Sequence, residues 1–124
     1  MSAKDVHFLL NLRNQLKLYH WQTRVYSRHV AVDTILETLD KSIDSYVEIY
    51  IGKYGRPKLS GADAVIRLHN LSEAGATKLV NAAIKYMMGP LVKGLKAGVD
   101  TDLINIRDEM VANLNQLLYL FTLR

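Results

Sequence analysis

Residues 29–48 read HVAVDTILETLDKSIDSYVE. A helix turns about 100° and rises about 1.5 Å per residue, so His29, Asp33, Asp44 and Glu48 would fall within an arc roughly 100° wide. The apolar residues form a separate stripe about a quarter-turn away: Val32, Leu36, Leu39, Ile43, Tyr46, Val47 and Tyr50. The stretch therefore predicts a helix with one face in the core and, beside it, a face bearing four side chains that can bind a metal ion.

These four candidate ligands cannot meet at one ion on a single helix. Asp33 and Asp44 are about 16 Å apart along the axis, whereas imidazole and carboxylate ligands lie about 2.0–2.2 Å from a transition metal. A second copy, packed antiparallel across a two-fold axis, would bring His29 and Asp33 of one chain to Asp44 and Glu48 of the other. The spacing therefore predicts two identical metal sites shared between subunits.

The same pattern also fits an ordinary solvated helix face. Glu37, Asp40 and Lys41 lie among the candidate ligands, and acidic residues at helical spacing are often surface groups without chemistry. If the face does bind metal, Glu37 and Asp40 are spare carboxylates that could pass or share ions. Both interpretations stay open at this point.

Helical periodicity predicts three further long helices. The first covers about residues 3–23 and carries His20 and Trp21 near its end, with Trp21 as a core or interface anchor. His7 lies on a different face of this helix and receives no role. Ser27 is expected to cap the helix of residues 29–48. A third helix is predicted over residues 73–96, kinked or split at Pro90, and a fourth from Asp100 or Thr101 to Arg124.

The connection after Tyr54 indicates the topology. It begins with GRPKLSG, a clear break, and residues 62–70 are predicted to form a short helix. A linker of about seventeen residues spans roughly 56 Å when extended, enough to return along a helix of about 40 Å. Short first and last connections with one long middle crossover define the ferritin-like topology. We therefore predict an all-α, ferritin-like four-helix bundle, one domain over residues 1–124, with one long crossover carrying a short helix.

Composition excludes several classes of function. Cysteine is absent, which removes disulfides, zinc–thiolate sites and thiol nucleophiles. The net charge of +4 is spread along the chain without a basic tail, so DNA binding is expected to be weak or none. No apolar run has the length of a membrane span, and MSAKDVHF is unlike a signal peptide. The expected location is the cytoplasm.

The pairing of His20-Trp21 with His29, Asp33, Asp44 and Glu48 resembles the miniferritins, the DNA-protection proteins of starved cells (Dps). Their pattern is a first-helix His-Trp followed by H-x3-D-x10-D-x3-E on the second helix, and the spacings from His29 to Glu48 agree with it. The interval from His20 to His29 is three residues shorter than in that pattern. The chain is also similar to short uncharacterised proteins of bacteriophages and large DNA viruses, through its YHWQT, NIRDE and LYLFTL segments.

The resemblance implies a ferroxidase that binds Fe(II) at two-fold interfaces and oxidises it with hydrogen peroxide or oxygen. In that family His20, His29 and Asp33 would come from one subunit, and Asp44 and Glu48 from its mate. It further implies dimers within a dodecamer that stores ferric iron, in the host cytoplasm if the protein is viral. Two alternatives remain: a non-catalytic helical oligomer with a viral structural or host-interaction role, and a structural Zn or Mn site at the same residues.

Overall fold

Four α-helices build the protein, which the computed structural model describes over residues 2–124. They are α1 (Ala3–Gln22), α2 (Tyr26–Tyr54), α3 (Glu73–Met88) and α4 (Thr101–Leu120). Two short 3-10 helices, Gly61–Ala64 and Pro90–Val92, lie in the connections. No β-strand occurs among the residues described, and the prediction of an all-α four-helix fold is confirmed.

Apolar stripes at helical spacing pack the helices around one core. Side chains of about Val or Leu size each contribute roughly 1.5–3 kcal/mol when they leave water in this way. The buried apolar side chains are Leu9, Leu12, Leu16, Tyr19, Ala31, Val32, Ile35, Leu39, Ile43, Tyr46, Ala76, Val80, Ala83, Met87, Leu91, Leu103, Met110, Leu114, Leu117 and Phe121. The core therefore follows the periodicity of the sequence closely.

Hydrogen bonds at the two ends of the bundle fix the direction of α3 against α1. The Tyr19 hydroxyl, near the end of α1, donates to Glu73 at the start of α3 (2.5 Å). The Tyr86 hydroxyl, near the end of α3, donates to Asp5 at the start of α1 (2.6 Å). The two helices are therefore antiparallel.

The same kind of evidence orients α4 against α2. The Lys53 ammonium, near the end of α2, binds Asp102 in the first turn of α4 (2.9 Å). The Ser27 hydroxyl, in the first turn of α2, donates to the Leu123 carbonyl beyond the end of α4 (3.1 Å). These helices are antiparallel too. Contacts of His20 with His29 and of Arg13 with Asp40 make α1 and α2 antiparallel as well, so α2 and α3 run in the same direction. The chain between them has to return along the whole bundle.

This returning segment is the long crossover, and it runs alongside α1. Its contacts with α1 are His7 Nε2 to the Val65 carbonyl (2.7 Å), Gln15 to the carbonyl and N–H of His69 (2.6 and 2.9 Å), and Gln22 to Asn70 (2.7 Å). Because a carbonyl only accepts, His7 Nε2 carries the proton and donates it. His7, for which no role was predicted, thus holds the crossover against α1.

Several predicted element boundaries were wrong. Of the short helix predicted over residues 62–70, only residues 62–64 are helical, within the single 3-10 turn Gly61–Ala64. The split predicted at Pro90 is present, because Gly89 leaves helical geometry and Pro90 lacks the N–H that a continuing helix needs; beyond it only a 3-10 turn, Pro90–Val92, follows, and no α-helix continues to residue 96. α4 ends at Leu120, before Arg124. Ser27 lies inside the first turn of α2 and does not cap it.

Asp100 ties the bundle together at the end opposite the α1–α2 turn. Its carboxylate is fully buried and accepts hydrogen bonds from the Tyr54 hydroxyl and the Lys96 N–H (2.8 Å), while Lys53 Nζ lies 3.1 Å away. The Tyr54 hydrogen bond, with those from Lys96 and Lys53, lowers the pKa of Asp100 from its ordinary 3.8 to about 2. The ionised form of Asp100 is therefore the one that the fold stabilises.

Asp100→Asn should make folding less sensitive to acid. A lowered pKa contributes stability that is complete above the ordinary value of 3.8 and is lost as the pH falls toward about 2. We expect the melting temperature of the wild type to drop over this interval, and that of Asp100→Asn to be lower at neutral pH and flatter. Thermal melts followed by circular dichroism would measure this, with the exposed Asp108→Asn as the control. Equal acid-induced drops in wild type and Asp100→Asn would contradict it.

None of the helices in the described part of the chain combines the length and apolar character needed to cross a membrane.

Candidate metal centre

A three-residue turn brings the two candidate histidines together. α1 ends at Gln22 and α2 begins at Tyr26, although the turn contains neither Gly nor Pro. Thr23 closes it: its N–H donates to the Tyr19 carbonyl (2.8 Å), and its hydroxyl accepts from the Val25 N–H (3.2 Å). His20, in the last turn of α1, and His29, in the first turns of α2, consequently lie side by side.

The two imidazoles hold each other in place through the backbone. Nδ1 of His20 lies 2.7 Å from the His29 carbonyl, and Nδ1 of His29 lies 2.7 Å from the His20 carbonyl. The rings stack with their centroids 3.9 Å apart and their planes 13° apart. Since a carbonyl oxygen only accepts, Nδ1 is the protonated nitrogen in each ring. In the neutral rings both Nε2 atoms therefore carry free lone pairs.

This arrangement is the one that metal-binding histidines commonly show. A ligating imidazole usually donates its other N–H to a carbonyl or carboxylate, which fixes the ring and its tautomer. Nε2 of His20 lies 4.0 Å from Oδ1 of Asp33. Two ligand atoms each about 2.0–2.2 Å from one ion can be at most about 4.4 Å apart. An ion could therefore contact both groups without any movement of the backbone.

His20 differs from the other three buried polar residues in the hydrogen bonds that its side chain makes. Asp5, Gln15 and Asp100 are equally buried, but each is used structurally, by Tyr86, by the crossover backbone and by Tyr54 respectively. The His20 side chain is only 9% exposed, and its Nε2 makes no hydrogen bond with any residue in the 2–124 range. A neutral imidazole nitrogen without a hydrogen-bond partner, 4.0 Å from a carboxylate oxygen, has the chemistry of a metal ligand.

Asp44 and Glu48 lie further along α2, exposed on the side that also carries Asp33. Within one copy they do not approach the histidines, and no group of three or more His, Asp or Glu close enough to hold a metal is found across residues 2–124. One chain thus places His20 beside His29 and within 4.0 Å of Asp33, without forming a three-ligand group, and leaves Asp44 and Glu48 separate.

Two further side chains differ from what the sequence indicated. Asp40 is not a spare carboxylate, because Arg13 of α1 binds it with Nε (2.7 Å) and Nη2 (3.0 Å). Trp21 is not in the core: it is 68% exposed, with Lys17 Nζ 5.5 Å from its ring centroid. Of its predicted roles, an interface anchor is the one still available.

Glu73, predicted only as the start of the third helix, also holds the turn between α1 and α2. This first residue of α3 accepts hydrogen bonds from the hydroxyls of Tyr19 (2.5 Å) and Thr23 (2.8 Å), and Arg28 Nε lies 3.5 Å from it. Burial and the hydrogen bond to Glu73 raise the pKa of Tyr19, so its hydroxyl stays a donor. An acidic residue in the first turn of a helix usually stabilises the helix through its dipole. The position of Glu73 in the sequence therefore does not indicate that it also binds the α1–α2 turn.

The model of a family of unknown function (DUF5856) matches residues 20–121. The matched region begins at His20 and includes all five candidate ligands. No curated protein and no solved structure matches the chain.

Proposed function

The chain belongs to DUF5856, a family of unknown function, and from the side chains around His20 and His29 we propose that two copies bind Fe(II) at a shared two-fold interface and oxidise it. The single observation that carries the proposal is the reciprocal histidine pair, whose Nε2 atoms are left free beside Asp33. Asp44 and Glu48 of the second copy would complete each site.

Fe(II) is the substrate that suits this set of donors. Mixed imidazole and carboxylate ligands with open positions are typical of non-haem Fe(II) sites that react with oxidants. Each Fe(II) gives up one electron, and one hydrogen peroxide accepts two electrons and two protons to become two waters. Oxygen can serve as the oxidant instead. In its fuller form, the proposal is a miniferritin-like dodecamer of such dimers that stores ferric iron in the cytoplasm.

The register that pairs the ligands also pairs apolar side chains. If His29 faces Glu48 of an antiparallel copy, then Tyr26 comes opposite Ile51 and Val30 opposite Val47. Tyr26 is 78% exposed and Val30 is 43% exposed in the single copy, while Val47 and Ile51 are half-buried. Exposed apolar residues of this kind commonly mark interfaces. The dimer would cover them without any change of register.

Anaerobic Fe(II) titration followed by addition of peroxide tests the proposal. We expect about two Fe(II) bound per dimer, since a two-fold axis generates the site twice, and rapid growth of ferric absorbance that depends on the protein. Sedimentation should show that Fe(II) favours the dimer, because a ligand stabilises the state that binds it. Binding of Zn(II) or Mn(II) without any Fe(II) oxidation would overturn the ferroxidase in favour of a structural metal site. An oligomer that binds no metal would overturn the metal site altogether.

A further inference from the structure

We infer that Arg13 joins the two copies of the proposed dimer, by binding Asp40 of its own chain and Glu37 of the second copy at once. This inference rests on the dimer proposed above. Arg13 reaches across from α1 to α2, where its Nε and Nη2 atoms hold both oxygens of Asp40. The pair is still accessible, since the side chains of Arg13 and Asp40 are 42% and 43% exposed.

The Arg13 guanidinium has N–H donors that Asp40 does not use. It carries five N–H groups, and the side-on contact with Asp40 leaves those of Nη1 without a partner among residues 2–124. They lie at an open groove of about 500 Å³ between α1 and α2, which Lys17 and Lys41 also line. Asp33, Glu37 and Asp40 line the groove as well, so its charges balance, and what it offers a carboxylate arriving from outside the chain is the free N–H donors of Arg13.

Glu37 of a second copy is the carboxylate that the register delivers. With Asp33 facing Asp44 of the other chain, Glu37 comes opposite Asp40, close to the two-fold axis. Glu37 is exposed and forms no ion pair with any residue from 2 to 124 of its own copy. Two Glu37 and two Asp40 would thus meet near the axis, and like charges at such distances repel. One Arg13 from each copy offsets two of these four negative charges, and Lys17 and Lys41 line the same groove.

Arg13 would help to select a second copy in the correct register. A carboxylate on each copy must meet a guanidinium on the other, twice per dimer because of the symmetry. Complementary charge of this kind fixes register and suppresses wrong pairings more than it adds affinity. Only a copy aligned in the ligand-pairing register satisfies both Arg13 residues, so the ion pairs would also align the metal ligands.

A charge swap tests this directly. The dimer dissociation constants of wild type, Arg13→Glu, Glu37→Arg and the double variant would be measured by sedimentation, with and without anaerobic Fe(II). We expect Arg13→Glu to weaken the dimer at least about tenfold, because only carboxylates would then meet near the axis; Glu37→Arg should weaken it less, because the new guanidinium faces Arg13 but also Asp40. The double variant should recover to within about threefold of wild type, since the new guanidinium meets the new carboxylate and Asp40.

Lys78→Glu, a charge reversal at an exposed position of α3, is the matched control and should leave the constant unchanged. Circular dichroism melts would confirm that all variants fold. Single variants that dimerise like wild type, or a double variant without recovery, would overturn the role of Arg13 and leave the metal proposal standing. A wild type that stays monomeric even with Fe(II) would overturn the shared site itself.

Discussion

Asp44→Asn combined with Glu48→Gln is expected to slow Fe(II) oxidation at least about 100-fold, because removing even an outer-shell partner of a metal ligand commonly costs 10–100-fold. Both side chains are exposed and make no ion pair within residues 2–124 of one copy. Isosteric changes at such positions usually alter the free energy of unfolding by less than about 0.5 kcal/mol. The loss should therefore concern the chemistry and not the fold.

The measurement is the initial rate of ferric absorbance after peroxide is added to protein loaded anaerobically with Fe(II). Asp108→Asn with Glu109→Gln makes the same chemical change at two exposed acids of α4 and should oxidise iron like wild type. Melting temperatures would establish that the two double variants are equally folded. Unchanged oxidation after loss of Asp44 and Glu48 would remove both residues from the site.

Mixing two inactive variants should restore about a quarter of the wild-type activity. One partner is the variant lacking Asp44 and Glu48, and the other is His29→Gln with Asp33→Asn. If the ligands come from two chains, a mixed dimer has one intact site and one site that lacks all four groups. Random pairing makes about half of the dimers mixed, each with one of its two symmetric sites intact.

The mixture would be prepared by co-refolding equal amounts of both variants, and its oxidation rate compared with each variant refolded alone. The expected fraction does not depend on how dimers assemble further, because every two-fold interface is counted alike. Activity near the sum of the two separate variants would mean that no working site combines ligands from two chains. Such a result would contradict the shared site while leaving iron oxidation possible.

The candidate site divides into a part that sequence could predict and a part that it could not. The ligand row on α2 follows from helical geometry, because residues four and eleven apart share a face in any α-helix. Where His20 points does not follow from it. Its position depends on the Thr23–Val25 turn, which Glu73 holds from fifty residues further along the chain.

The same distinction applies to Arg13 and Asp40. Each residue reads as an ordinary charge on a helix surface, and Asp40 was predicted to be a spare carboxylate. Their pairing depends on how α1 and α2 lie against each other, which local periodicity does not specify. The groove beside them, on which the role inferred for Arg13 rests, is likewise a property of the packed pair of helices.

By itself, the sequence determined the four helices, their buried stripes and the long return between α2 and α3, because periodicity and chain breakers act over a few residues. The tertiary structure decided how α1 holds the crossover and which nitrogen of each histidine is free. Those features depend on hydrogen bonds between distant segments, such as Gln15 with His69 and Tyr19 with Glu73. Buried polar groups must find partners wherever packing places them, and a linear pattern does not contain that placement.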